Sequence, residues 1–152
     1  MSGDSSAVAS TAGARANGAI VLKTLKSPEE GGTKKDYDDF IDKIDSHVSI
    51  NWEFGQDVAY VIKNTKAPEF VEPEDLTTNE RTTQWKVRLW NQKVDRYGLK
   101  VATFEDNMGA LYSLISDGLS KIMKAKVRGK QGFNKAQEEK DALWMLKTIE
   151  DI

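Results

Sequence analysis

The segment VRLWNQKVDRYGLKVATFEDNMGALYSLI, residues 87–115, places nine large side chains in alternating steps of three and four. They are Val87, Trp90, Val94, Tyr97, Val101, Phe104, Met108, Leu111 and Ile115. Steps of three and four keep side chains on one face of an α-helix, and repeated this often they form a heptad stripe. The segment therefore needs about eight helical turns at about 1.5 Å rise per residue. Such a helix is far longer than the mean for soluble domains, so the question is what covers its stripe.

Punctuation around the stripe sets the ends of this helix. Thr77 with Glu80 reads as a capping box, and Gly118 closes the far end, giving one long helix over about residues 78–117. Gly98 and Gly109 lie inside it and are the expected points of bending or breakage, with Gly109 also suited to close approach of another helix. Upstream, Thr33 and Asp36 start a helix over 33–50, in which Tyr37, Phe40, Ile41, Ile44 and Val48 share a face. A shorter helix is expected over 57–63, and Pro68 and Pro73 interrupt the linker that follows. Downstream, 127–133 reads as a loop. Asn134 with Gln137 is then expected to cap a final helix carrying Ala142, Met145, Leu146, Ile149 and Ile152. Residues 20–25 form an apolar patch suited to clipping the N-terminal segment onto the core. No strand alternation persists, so the fold class is all-α, a helical bundle built around one long helix. Residues 1–19 are rich in Ser, Ala, Gly and Thr and read as a disordered N-terminal tail, leaving 20–152 as one helical domain.

The flanking helices favour an intramolecular bundle, with the seam of a dimeric coiled coil as the alternative. Trp90, Tyr97 and Phe104 support the bundle, because dimer seams prefer aliphatic side chains. Trp90 is assigned to the core on this reading. Trp85 lies off the stripe and faces either a second helix or a partner.

Charge is distributed unevenly. Residues 1–80 hold 8 basic and 15 acidic side chains, net −7; residues 81–137 hold 12 and 4, net +8; residues 138–152 hold 2 and 5, net −3. Such polarity suits head-to-tail self-association or contact with a polyanion, unless the portions neutralise each other within the fold. Lys121, Lys124, Lys126, Arg128, Lys130 and Lys135 fall in a stretch without a carboxylate from Gly118 to Gln137. The first five are the candidate nucleic-acid contacts, through phosphate neutralisation that does not depend on base sequence. Only Phe133 is placed to stack a base, so sequence readout is not expected. The competing reading is a solvated basic helix end, favoured by the helix dipole.

Catalytic and cofactor chemistry finds no foothold in the pattern. There is no cysteine, hence no disulfide, thiolate zinc site or thiol nucleophile. His47 is the only histidine and has no nucleophile partner. The acidic face of Asp38, Asp39, Asp42 and Asp45 reads as a solvated helix face rather than a metal site. Gly129-Lys130-Gln131-Gly132 is not a P-loop. No enzyme, metal, cofactor or small-molecule substrate is expected. No apolar run approaches 18 residues, so no membrane span is expected, and a cytoplasmic location is the default.

The order of several marks carries a family resemblance. Lys35-Asp36-Tyr37 with Phe40 opens the first helix, and Trp52 with Gly55-Gln56-Asp57 follows it. The stretch from Trp90 runs through Asn107, Leu111-Tyr112, Ile115 and Leu119 to Asp141, Trp144, Leu146 and Ile149. From Ile20 to Ile152 this resembles the N-terminal capsid-like region of Gag polyproteins from copia-type LTR retrotransposons. The resemblance implies an all-helical, non-catalytic protein that self-associates around RNA. It departs from the family in lacking a CCHC zinc knuckle, and its stop at Ile152, just as the last helix ends, reads as a truncated element or a fragment. The alternative to a Gag-like structural protein is a monomeric helical module that binds a partner protein and has no nucleic-acid role.

Overall fold

A computed structural model describes residues 20–152; the expected tail over 1–19 lies outside the described residues. Its first helix, α1 (Lys34–Asn51), starts where the sequence says it should. Thr33 Oγ1 accepts from the Asp36 amide at 3.1 Å, and the Asp36 carboxylate accepts from the Thr33 amide at 3.0 Å. This reciprocal cap satisfies two amide donors that a bare helix start leaves orphaned. Phe40, Ile44 and Val48, spaced by four, form its buried face.

A tight turn through Trp52 leads to α2 (Gly55–Asn64), which buries Val58, Val61 and Ile62. The resulting α1–α2 hairpin is latched to the long helix by one buried side chain: Asn107 Nδ2 donates to the Glu53 carbonyl at 2.9 Å. The long helix is α4 (Gln84–Asp117), 34 residues and about 50 Å in length. It passes unbroken through Gly98 and Gly109, contrary to the expected bend or break. No helix approaches closely at Gly109 either, where a Cβ would meet only the Lys140 Cδ, at 3.7 Å.

Helix α4 also starts later than the sequence suggests. The Thr77–Glu80 capping box forms, but it opens a separate single turn, α3 (Thr78–Arg81). Thr82 Oγ1 donates to the Asn79 carbonyl at 2.7 Å, and Thr83 takes an extended conformation. Adjacent β-branched residues, one of them bonding back to the preceding turn, end the helix there.

The stripe splits in two. Leu111 and Ile115 are fully buried, and Phe104 and Met108 pack at the edge of the core. Val87, Trp90, Val94, Tyr97 and Val101 remain half exposed, so Trp90 is not a core residue. Length explains the split. The helices that pack on α4, α2 and the C-terminal helix over Ala142–Asp151, have ten residues each, about 15 Å, so they cover only the second half of α4. The linker covers part of the first half instead: Trp90 Nε1 donates to the Glu74 carbonyl at 2.8 Å, and Phe70 meets Phe104 edge-on at 5.1 Å.

After Gly118 the chain forms α5 (Lys121–Arg128), capped by Ser120 Oγ on the Met123 amide. Two helices, rather than the one expected, complete the fold: α6 (Phe133–Glu139) and α7 (Ala142–Asp151). Lys140 adopts a left-handed conformation between them, and Asp141 caps α7 by accepting from the Trp144 amide at 3.0 Å. No side-chain cap forms at the start of α6, so the Asn134–Gln137 signal is not used. Met145, Leu146 and Ile149 of α7 close the core beside α4.

The N-terminal apolar patch does clip onto the core. Leu25 is buried and pairs with Leu119 through two backbone hydrogen bonds, Leu25 N–H to Gly118 O and Ser120 N–H to Leu25 O. Glu30 locks this clip, its Oε2 accepting from the Ser27 amide at 2.8 Å and the Ser120 hydroxyl at 2.7 Å. The Ser27 amide above all, then Ser120, holds the Glu30 carboxyl below its ordinary range. A lowered folded-state pKa contributes stability above the unfolded value of about 4.5, lost as pH falls through the folded value. Amide protection factors at Leu25 and Ser120 are therefore expected to drop on acidification below that pH. Glu30→Gln should produce the same loss at neutral pH; unchanged protection in that variant would refute the lock.

Candidate functional site

Helix α5 orders the cationic segment, and it does so unequally. Met123 and Val127 are buried, which fixes the rotation of the helix. Lys121, Lys124 and Arg128 then follow one another at steps of three and four along a single side. None of these three forms an ion pair with a described residue. Lys126 points the other way and pairs with Glu29, whose carboxyl it holds below its ordinary range. Lys126 and Lys130 border a shallow hollow of about 410 Å³ beside Asp151 and Ile152. The five predicted contacts are thus one free ridge of three, one neutralised cation, and Lys130 on the exposed turn between α5 and α6.

A second charged feature went unread in the sequence. Between the middle of α4 and the α6–α7 corner lies an open cleft of about 680 Å³. Phe104, Met108, Ala110 and Ala142 give it apolar walls; Glu105, Asp106, Glu138, Glu139 and Asp141 line it with carboxylates, and Lys140 is the one cation in the lining. Glu105, Asp106, Glu138 and Glu139 are exposed and form no ion pair among the described residues. Glu105 and Asp106 sit in the portion that is basic on average, so the regional charge count concealed them. The adjacent pairs Glu105-Asp106 and Glu138-Glu139 were the available signal, but only the tertiary fold brings them together.

The remaining candidates resolve locally. On the acidic face of α1, Asp38 and Asp39 pair with Lys34 and Lys35 one turn earlier. Among the described residues no group of three or more His, Asp or Glu side chains gathers in a metal-holding arrangement. His47 is half buried against Trp52, ring centroids 6.5 Å apart, with the Asn51 amide 3.2 Å from its Nδ1; burial lowers its pKa. No described helix is long and apolar enough to cross a membrane.

Apolar side chains are left exposed at two places on α4, Trp85 with Leu89 one turn on, and Leu99 about 15 Å further along. Trp85, Leu89 and Leu99 fall on one side of the helix, opposite the stripe, and all three are exposed, Trp85 by 60%. Trp144, by contrast, is half buried against Phe133. Comparison of the chain with protein-family models, with curated proteins and with solved structures finds no match.

Proposed function

We propose that this protein is a non-enzymatic structural subunit of the Gag capsid type, cytoplasmic, which associates with copies of itself and contacts RNA through its basic segment. The observation that carries the proposal is the exposure of Trp85 and Leu89, one turn apart on the first half of α4, a helix that outruns its own core. A tryptophan exposed one turn from an exposed leucine is a compact apolar patch of the kind that protein contacts use. The order of aromatic and apolar marks that resembles copia-type Gag supplies the kind of contact, subunit on subunit. Light scattering coupled to size exclusion tests it. A mass above 17.0 kDa that grows with concentration is expected, and a strict monomer at high concentration and low salt would leave the partner-binding module as the reading.

RNA contact in this proposal belongs to the Lys121, Lys124 and Arg128 ridge rather than to all five cations. Each cation that neutralises a phosphate of a single strand adds about 0.7 to the slope of log affinity against log salt. Replacing all three with Gln should therefore weaken single-stranded RNA binding and flatten that slope by about 2. Lys126→Gln should leave the slope nearly unchanged, since Glu29 already neutralises that charge. Fluorescence anisotropy across a salt series reads both, and equal slopes for the triple variant and the parent would remove RNA from the proposal.

A further inference from the structure

The cleft and the turn between α5 and α6 have opposite charges. Residues 128–132 are all exposed, a corner that carries Arg128 and Lys130, with Lys135 behind it on the first turns of α6. None of these three cations is paired with a described residue. The cleft is concave, acidic on its walls and apolar at Phe104 and Met108. Corner and cleft stand at the two ends of α6, a helix of seven residues and about 10 Å. One molecule therefore cannot insert its own corner into its own cleft.

We infer that the corner of one copy docks in the cleft of a second copy, so that subunits join head to tail. The inference rests on the proposed self-association and adds to the apolar contact on α4 a second contact, a charged one. The chemistry of the cleft selects this occupant. Five carboxylates against the single cation Lys140 leave the cleft strongly acidic, so it repels phosphate and disfavours a nucleic acid. Its apolar patches reward an occupant whose cations ride on long aliphatic stems, as those of Arg128 and Lys130 do. Arg128, which also ends the α5 ridge, adds a planar guanidinium able to hold a carboxylate through two parallel hydrogen bonds, so docking and RNA compete for it. Gly129 and Gly132 on either side of Lys130 keep the corner narrow, and Gly132 has φ 89°, a backbone geometry that side-chain-bearing residues rarely adopt.

Symmetry follows from the placement. The two surfaces differ, so the contact is heterologous, and each copy that uses its corner still offers its cleft. Association of this kind continues into a ring or an open filament and does not stop at a two-fold dimer. Exposed charges also make it salt-sensitive, because screening acts over about 10 Å at 0.1 M ionic strength.

Complementary charge reversal tests the inference by sedimentation velocity on the whole chain at low and high salt. The unaltered protein should gain mass with concentration at low salt and associate measurably less at high salt, by the share the charged contact supplies. Arg128→Glu with Lys130→Glu, and Glu138→Lys with Glu139→Lys, should each weaken association by about tenfold or more, as like charges then meet across the contact. An equal mixture of the two variants should recover it, because each reversed surface again finds its opposite. Glu105→Lys with Asp106→Lys alters the facing wall and replaces the cleft variant if that variant loses its helical circular dichroism. Variants that assemble like the parent, or a mixture that stays monomeric while the parent assembles, overturn the docking mode and leave self-association standing. A parent that is monomeric under every condition overturns both.

Discussion

Ile115→Ala should cost about 2–5 kcal/mol of folding stability, whereas Val94→Ala, on the same stripe, should cost about 1 kcal/mol or less. Both residues belong to one heptad pattern, and both lose methyl groups in the change. Their surroundings differ. Ile115 is fully buried among helices of the core, so truncation leaves a cavity that close-packed neighbours fill only in part. Val94 lies where the neighbouring helices have run out, half exposed, and water fills the vacated space. Alanine is also the better helix former, which offsets some of the small loss there. Total stability of a domain this size is about 5–15 kcal/mol, so the Ile115 variant gives up a large share of it. Urea unfolding monitored by far-ultraviolet circular dichroism separates the two cases. Equal losses at both positions would mean that the first half of α4 is packed as tightly as the second, in conflict with the exposure of its side chains.

The same contrast marks how far the sequence could be read. Periodicity identified the long helix because nine side chains repeat without a missed step, and a repeat of that length is rare outside a helix. Periodicity carries no information about the length of the partners. The sequence therefore could not say that Leu111 and Ile115 would be buried while Val87 and Val94 would not. Capping signals show a similar limit. Thr33 with Asp36 and Thr77 with Glu80 both form reciprocal caps, but only the first opens a long helix. The second is cut short by Thr82 and Thr83, whose local bonding competes with helix propagation. At the other end, the pattern over 134–152 merged α6 and α7, because one left-handed residue, Lys140, breaks the helix without any glycine or proline to announce it.

Charge was legible where it was local and hidden where it was not. Lys121, Lys124 and Arg128 are close in sequence, and the helix that carries them keeps them together. Lys126, counted with them, is withdrawn by Glu29, far upstream in the chain, because the N-terminal clip returns to α5 through Leu25 and Leu119. The acidic cleft is the converse case. Its carboxylates come from two well-separated segments, one on α4 and one from α6 to Asp141, and no short linear window contains both. The regional tally, net −7 before residue 81 and +8 over 81–137, suggested an acidic N-terminal end meeting a basic remainder. The opposing charges that stand at the two ends of α6 come from other residues, Glu105, Asp106, Glu138 and Glu139 on one side and Arg128 and Lys130 on the other, so the tally pointed to the wrong segments.

The second large effect is expected at Gly55, where alanine should destabilise the fold by about 3 kcal/mol or more. A Cβ built on Gly55 would lie 2.1 Å from the Val48 carbonyl oxygen and 3.0 Å from its carbon. Both are backbone atoms of α1, so no rotation of a side chain relieves the clash. The same carbonyl accepts the Trp52 amide at 3.1 Å, which closes the end of α1. Displacing it disturbs the turn that sets the α1–α2 hairpin and the Glu53 carbonyl that Asn107 holds. Gly98→Ala is the internal control. That glycine sits inside α4 with nothing within 4 Å of the added carbon, so alanine there should raise stability by about 0.5–1 kcal/mol through helix propensity alone. Thermal unfolding of the two variants should therefore shift in opposite directions from the parent. A neutral Gly55→Ala would show that α1 and α2 do not meet as closely as the hairpin requires, and the latch between Asn107 and Glu53 would lose its structural basis.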